Sequence, residues 1–220
     1  MARRKRDETP APTRAPAPGT GAAEASSEDG DAGAARRDAI LDAAKAVFLR
    51  YGFKKTSMDD LARAAALSRQ GLYLYFQTKE ALFKAALERL LTQLRAAGHE
   101  ALEREDRDVE DRLLTAFEAF HGNAVETAAH GHMDELFEAA SALVGPLFEG
   151  MEREFATAIA TVLSRTGLAA AWKSAGISAK DLADHLCAAS AGIKHAVTTL
   201  AAYRTRMKIA VRIVVRGAPR

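Results

Sequence analysis

The run TSMDDLARAAALSRQGLYLYFQTK spans residues 56–79 and contains two helix-start signals in close succession. Ser57 can cap a first helix, and Asp60 three residues later can support that cap. Ser68 can cap a second short helix, so Ala66-Leu67 must form a tight turn between the two. Two short capped helices joined by a tight turn are typical of a helix-turn-helix.

An amphipathic helix is predicted directly before this run, with order beginning near Arg36. Its apolar stripe at helical spacing consists of Ile40, Ala44, Val47, Phe48 and Tyr51. Gly52 follows directly and suits the left-handed residue that ends a helix. Residues 1–35 are rich in Ala, Pro, Gly, Ser and acids, and they carry too little apolar surface to offset their ordering entropy. We therefore expect a disordered tail there.

The second helix of the pair has the two faces that a recognition helix needs. Leu72 and Phe76 share an apolar face that can pack inward, whereas Arg69, Gln70 and Tyr73 can project outward. A helix that enters the major groove must be polar on its outer side and apolar on its inner side. The sequence therefore predicts a DNA-reading helix.

Positive charge is concentrated around this motif. Residues 36–79 contain nine Lys/Arg and four Asp/Glu, a net of +5, while residues 1–35 come to −1 and residues 80–220 to −2. A basic module on a mildly acidic body indicates a polyanionic partner for that module. Charge alone is equally compatible with a solvated basic face. The prediction of DNA binding therefore depends on the helix-turn-helix motif.

The composition of the whole chain excludes several classes of protein. Apolar residues make up 48% and charged residues 27%, as in an ordinary soluble globular protein. No run of about 18 apolar residues is present, so no membrane span is expected. The basic run at residues 3–6 is not followed by an apolar run, as a secretory signal would be. The single cysteine, Cys187, allows no internal disulfide, fits the cytoplasm, and is expected to be a small helix-packing residue.

The rest of the chain, residues 83–216, is predicted to be helical because Ala and Leu are plentiful and β-branched runs are scarce. Gly145-Pro146 is expected to interrupt one apolar stripe, before a long helix over residues 148–163. An Ala-rich helix is predicted over residues 178–200. Residues 213–215 could form a short strand, although the end of a helix is favoured. The predicted fold class is all-α.

The run AAALSRQGLYLYFQTKEAL, residues 64–82, resembles the signature of the tetracycline-repressor (TetR) family, and residues 51–62 are similar to the same family. The resemblance implies a three-helix DNA-binding domain, placed here at residues 36–82. It also implies a larger helical effector-binding and dimerisation domain, placed at residues 83–216. Beyond about residue 100 the chain resembles the family only in being helical.

The resemblance further implies contacts with a double-stranded DNA operator. Phosphate contacts are implied for Thr56, Ser57 and Lys79, and the Ser68 hydroxyl adds a further donor near the backbone. Base-edge contacts are implied for Arg69, Gln70 and Gly71. Backbone or thymine-methyl contacts are implied for Tyr73 and Tyr75. Arg69 is the strongest candidate for sequence reading, because bidentate bonding to guanine is worth about 1–3 kcal/mol of discrimination.

Two positions depart from the usual pattern of the family. Ala66 stands in the turn where glycine is frequent, so a positive φ there would cost about 1 kcal/mol. Gly71 lies inside the recognition helix, where glycine costs roughly 1 kcal/mol relative to alanine. Neither departure changes the family assignment.

The family comparison implies a pocket for a small apolar or amphipathic effector in the helical body. Aromatic candidates for its lining are Phe117, Phe120, Phe137 and Trp172, together with Phe148 and Phe155. Aromatic residues at helical spacing are more often core than pocket. Dimerisation is expected through the helices around residues 147–164 and 178–200, where small residues would permit close approach, although packing within one subunit is the alternative.

Histidines and acids near residue 130 suggest a metal site only weakly. His130 and His132 are followed by Asp134 and Glu135, but short spacing alone is weak support. His121, His185 and His195 are expected on helix surfaces or along a pocket. No nucleophile–base arrangement, phosphate-binding glycine loop or carboxylate pair stands out, so neither an enzyme nor a bound cofactor is expected.

The sequence thus predicts a homodimeric repressor released from a near-palindromic operator by a small-molecule effector. One alternative is a DNA-binding regulator without a small-molecule ligand. Another is a helical interaction adaptor that no longer binds DNA.

Overall fold

The computed structural model describes residues 21–128 and 133–217, and within these ranges the chain is helical with no strand. The α-helices are α1 Gly21–Tyr51, α2 Met58–Ala64, α3 Arg69–Tyr73, α4 Lys79–Glu103, α5 Val109–Ala128, α6 Met133–Arg165, α7 Ala179–Ala196 and α8 Leu200–Arg216. A 3-10 helix, Leu168–Ala175, lies between α6 and α7. The predicted all-α class is confirmed, and no described helix has the length and apolar character needed to cross a membrane.

Helix α1 begins at Gly21, well before the predicted start near Arg36. Residues 21–35 contain many Ala and acidic side chains, and extending a helix already nucleated further along adds bonds without a new nucleation step. Residues 21–35, predicted to belong to a disordered tail over residues 1–35, are thus part of α1 in the structure, while residues 1–20 lie outside the described residues. The end of α1 is as predicted: Gly52 follows Tyr51 with φ +81°.

The N-terminal core is the buried cluster that the first four helices share with the start of α6. Its buried members are Ile40, Leu41, Ala44, Val47, Phe48, Leu61, Ala62, Leu72, Phe76, Leu82, Phe83, Ala86 and Leu136. Tyr51 was predicted on this face and is instead 46% exposed, with the Arg50 guanidinium 5.2 Å from its ring centroid. Phe53 packs there in its place, with ring centroids 4.9 Å from Phe83.

The C-terminal core is the larger buried cluster formed mainly by α4 to α8. Phe117 and Phe120 of α5 are both buried in it against Phe155 of α6. The Phe120 and Phe155 rings stack at 4.2 Å, and the Phe117 ring meets Phe155 edge-on at 5.3 Å. The last segment, α8, is a helix to Arg216, so the strand alternative for residues 213–215 is excluded.

Helix α6 runs without interruption through Pro146, contrary to the predicted break at Gly145-Pro146. Proline inside a helix costs roughly 3 kcal/mol because it removes one backbone bond and crowds the preceding turn. Burying one large apolar side chain returns about 1.5–3 kcal/mol. Leu136 before the proline is buried in the N-terminal core, and Val144 and Met151 beside it are buried in the C-terminal core. These contacts on both sides outweigh the lost bond.

Candidate nucleic-acid interface

The two helix caps of the helix-turn-helix form as predicted. The Ser57 hydroxyl accepts from the Asp60 backbone N–H at 3.2 Å, and the Asp60 carboxylate accepts from the Ser57 backbone N–H at 3.1 Å. The Ser68 hydroxyl accepts from the Gly71 N–H at 3.0 Å. Hydrogen bonding from Ser57 holds the pKa of the Asp60 carboxyl below its ordinary value. Both serine hydroxyls therefore have a structural partner before any DNA arrives.

The turn between α2 and α3 places Ala66 in the left-handed region, with φ +51°. Alanine rather than glycine at this position stores about 1 kcal/mol of strain. The strain is held in place because the Leu67 N–H donates to the Ala62 carbonyl at 2.9 Å. The turn predicted from the spacing of Ser57 and Ser68 is thus confirmed.

Helix α3 presents polar side chains on one side and apolar side chains on the other. Leu72 of α3 and Phe76, three residues after its end, are buried, while Arg69 and Gln70 are exposed and Tyr73 is half-buried, as predicted. The helix itself is short and ends at Tyr73. The outward face is therefore supported from beneath by the N-terminal core.

Arg69 is held by two neighbours on the exposed surface. One guanidinium nitrogen lies 3.1 Å from a carboxylate oxygen of Asp59 on α2, and the guanidinium carbon is 5.7 Å from the Tyr73 ring centroid. Hydrogen bonding with Tyr73 and attraction to Asp59 raise the pKa of Arg69 above its ordinary value. The guanidinium is thereby oriented, yet both partners remain solvent-accessible.

The absence of a side chain at Gly71 leaves space for the Ser68 cap. A Cβ at this position would lie 3.2 Å from the Ser68 hydroxyl oxygen, the atom that caps α3. Glycine thus keeps the cap uncrowded. Gln77 closes the other end of the segment by donating from its side-chain amide to the Tyr73 carbonyl at 3.0 Å.

Thr56 was predicted to bind phosphate, and the structure places its side chain in the interior. Thr56 is 3% exposed, and its hydroxyl donates to the Gly52 carbonyl at 2.6 Å. The hydroxyl proton therefore satisfies a carbonyl at the end of α1. This bond shapes the loop before α2 and leaves the Thr56 hydroxyl little exposed for the predicted phosphate contact.

Lys79 was also predicted to bind phosphate, and its ammonium is engaged inside the protein. Nζ donates to the Phe53 carbonyl at 2.9 Å and to the Thr56 carbonyl at 3.0 Å. It also lies 4.4 Å from the centroid of the Phe53 ring. Lys79 thus fastens the start of α4 to the loop before α2.

The sequence prediction missed three exposed residues beside the motif: Leu74, Lys54 and Lys55. Leu74, directly after α3, is 82% exposed, and the predicted Tyr75 next to it is 37% exposed. Lys54 and Lys55 are exposed in the loop before α2, and among the described residues neither ammonium has an acidic partner. Two adjacent lysines just before a capped helix are a signal that sequence reading could have used.

The aromatic residues predicted to line an effector pocket do not share one site. Phe117 and Phe120 are packed in the C-terminal core, and the side chain of Phe137 lies outside the described residues. Trp172 is half-buried on the 3-10 helix, and its indole N–H donates to the Val214 carbonyl of α8 at 3.0 Å. It therefore ties two C-terminal segments together. Two grooves of about 310 and 140 Å³ open elsewhere on this body, and their described lining does not include Phe117, Phe120 or Trp172.

The start of α6 contacts the loop that precedes α2. The Glu135 carboxylate accepts from the Lys54 backbone N–H at 2.5 Å, and both its oxygens would lie 3.3 Å from a Cβ at Gly52. Leu136, the next residue, is buried in the N-terminal core. Gly52 therefore both ends α1 with its positive φ and leaves room for the Glu135 carboxylate.

The candidate metal ligands near residue 130 lie mostly outside the part of the chain that the structure describes. His130 and His132 lie outside the described residues, as does the side chain of Asp134. Glu135 accepts from the Lys54 backbone N–H.

Cys187 packs against the C-terminal core, where burial raises the pKa of its thiol to about 12.

Comparison with known proteins agrees with this geometry. The family model described as bacterial regulatory proteins, tetR family, matches residues 40–86. The HTH-type transcriptional repressor ComR of Escherichia coli (strain K12) is 42% identical over 84 residues, covering 38% of this chain and 40% of ComR. The HTH-type transcriptional activator FasR of Mycolicibacterium smegmatis is 38% identical over 85 residues, covering 39% of this chain and 38% of FasR.

The likeness extends to the whole fold in solved structures. A transcriptional regulator from Rhodococcus sp. Rha1 superposes with a TM-score of 0.61 over 83% of this chain and 97% of that chain, at 20% identity. The alignments with ComR and FasR span less than half of each relative's own length. Residues 40–86, which contain the helix-turn-helix, are thus similar to the DNA-binding part of the tetR family of bacterial regulatory proteins.

Proposed function

We propose that this protein is a dimeric, DNA-binding transcriptional repressor that a small-molecule effector releases from its operator. The observation that carries the proposal is the two-sided α3. Its outer face offers Arg69 and Gln70 to base edges, while Leu72 and Phe76 anchor it in the N-terminal core. A helix with these two faces suits the major groove.

The proposed contact set differs from the one that the family resemblance implied. Arg69 and Gln70 read base edges, with Gly71 allowing close approach. Leu74, Tyr73 and Tyr75 supply the apolar and aromatic contacts suited to thymine methyl groups and sugar. Lys54 and Lys55 contact phosphate, and the exposed Ser68 hydroxyl lies near the DNA backbone.

Dimerisation is proposed through the outward faces of α7 and α8. Ile209 and Ile213 lie one turn apart on α8 and are 58% and 56% exposed. Gly192 on α7 has open space around the position of a Cβ. Isolated exposed apolar residues are common on protein surfaces. Ile209 and Ile213, however, share one face of α8, and α8 lies beside α7, which is rich in small residues, so this surface suits a helix–helix contact between subunits. The proposal replaces the helix over residues 147–164 with α8.

Coupling between effector and DNA is proposed to run through α6. This helix is buried in the C-terminal core along its later turns and in the N-terminal core at Leu136. Its Glu135 also accepts from the loop before α2. An effector that favours another position of α6 would therefore move that loop, to an extent bounded by the effector's differential affinity for the two states.

The test begins with selection from a random duplex library, followed by fluorescence anisotropy on the enriched sequence. We expect two inverted half-sites separated by one helical turn or a multiple of it. Arg69→Ala should lose about 1–3 kcal/mol of discrimination at one position of the half-site. Lys173→Ala removes an exposed cation from the 3-10 helix and serves as the matched control.

Failure of wild-type protein to enrich any sequence would contradict DNA reading. Transcription in vitro from the enriched site, with and without protein, tests the sign of regulation. Repression is expected, and increased transcription would contradict that part of the proposal.

A further inference from the structure

A chain of buried polar groups crosses the C-terminal core between three helices. His121 of α5 lies with Nδ1 2.6 Å from the Ser190 hydroxyl of α7. That hydroxyl is 2.5 Å from the Tyr203 hydroxyl of α8, which donates to the Phe117 carbonyl at 3.2 Å. His121 is 5% exposed, and Ser190 and Tyr203 are fully buried.

Counting protons along this chain assigns the histidine tautomer. Three contacts require three protons, and the Phe117 carbonyl can only accept. Tyr203 therefore donates to that carbonyl, Ser190 donates to Tyr203, and Nδ1 of His121 must carry the proton donated to Ser190. The other ring nitrogen, Nε2, is left with a lone pair and no proton.

Nε2 of His121 is buried and has no hydrogen-bond partner among the described residues. Burial, together with the nearby charges of Lys194 and His195, lowers the pKa of His121 to about 3. The ring is therefore neutral at physiological pH and cannot satisfy Nε2 by taking up a proton. A buried acceptor without a donor is rare in native proteins and calls for a specific cause.

We propose that His121 is the polar anchor of the effector site, and that Nε2 accepts a hydrogen bond from a neutral, mainly apolar molecule carrying a hydroxyl or N–H group. This inference rests on the proposed function, because it specifies the effector of that regulator. A carboxylate or an ether offers Nε2 no proton. A cation is disfavoured by the half-buried Lys194, whose charge already acts on this ring.

The position of His121 connects such a site with the DNA-binding helices. It lies two turns before the end of α5 at Ala128, after which the chain leads into α6. The neighbouring Gly122 lies against α8, where a Cβ would stand 3.1 Å from a Leu200 methyl carbon. A molecule seated on Nε2 therefore acts where α5, α7 and α8 meet, on the helix that precedes α6.

The first experiment is NMR on the full chain with ¹⁵N-labelled histidine. The probes are ethanol, 1-butanol and phenol, each paired with its methyl ether, and benzoate. His121→Phe identifies the His121 signals among those of the six histidines. We expect Nδ1 protonated and Nε2 unprotonated in the free protein. At least one alcohol should shift the Nε2 resonance, whereas its ether and benzoate should not.

The second readout is the affinity for the responding alcohol. His121→Phe keeps a ring in place but removes the acceptor, so it should weaken alcohol binding by about tenfold and leave ether binding unchanged. A protonated Nε2 in the free protein would overturn the inference. So would equal responses to alcohol and ether, or no response to any probe, which would mean that Nε2 holds only water.

Operator affinity measured on the same samples separates this inference from the proposed function. Sequence-selective DNA binding without any alcohol response overturns only the anchor. An alcohol response at Nε2 in a protein that selects no DNA sequence overturns the repressor and leaves the anchor standing.

Discussion

Replacing Lys79 by methionine should weaken the fold without removing a phosphate contact. Methionine retains most of the apolar stem but lacks the ammonium that donates to the Phe53 and Thr56 carbonyls at 2.9 and 3.0 Å. A hydrogen bond from a charged group contributes about 1.5–3 kcal/mol. The cation over the Phe53 ring adds about 0.5–1 kcal/mol. Since the site is only partly buried, water can replace some of this, and we expect the free energy of unfolding to fall by about 2–3 kcal/mol.

The assay pairs urea unfolding with a salt series of operator binding. A side chain that neutralises one phosphate lowers the salt slope by about one unit when it is removed. Lys79→Met should leave that slope unchanged, because its Nζ is held by the protein's own carbonyls. Lys55→Ala is the matched control: Lys55 is exposed, so its loss should reduce the slope by about one unit and leave stability nearly unchanged.

The opposite pattern would refute this reasoning. If Lys79→Met kept its stability and lost about one unit of salt slope, the ammonium would be a phosphate ligand, and the clamp seen between α4 and the loop before α2 would be incidental.

Three further expectations concern the rest of the chain. Ile209→Glu with Ile213→Glu should convert the proposed dimer to monomer in analytical ultracentrifugation, and a dimer that persists would place the interface elsewhere. Glu135→Ala leaves the Lys54 N–H without its acceptor, so the effector-induced change in operator affinity should shrink, whereas Glu135→Gln, which keeps an acceptor, should retain it. His121 has a folded-state pKa near 3, below the ordinary 6.5, so the unfolded chain binds more protons between these values. Stability is therefore full above about pH 6.5 and falls on acidification, by on the order of 2 kcal/mol at pH 5; His121→Phe should flatten this dependence in urea melts.

Several features of the helix-turn-helix follow from local sequence alone. The caps at Ser57 and Ser68, the left-handed residue at Gly52 and the tight turn at Ala66-Leu67 all form as predicted. Each depends on groups within a few residues of one another, so side-chain chemistry and spacing decide it. The apolar faces of α1 and α3 were predictable for the same reason, with Tyr51 as the exception because Phe53 fills its place.

The contacts that Thr56, Lys79 and Trp172 make within the protein depend on the fold around them. The ammonium of Lys79 meets carbonyls 23 and 26 residues earlier in the chain, and the Trp172 indole meets one 42 residues later. A lysine beside a recognition helix has the same local sequence whether it faces a phosphate or a carbonyl. The persistence of α6 through Pro146 likewise depends on two cores that the helix joins. Local chemistry determined the caps and the end of α1 around the helix-turn-helix, and long-range packing determined which polar groups remain free to bind.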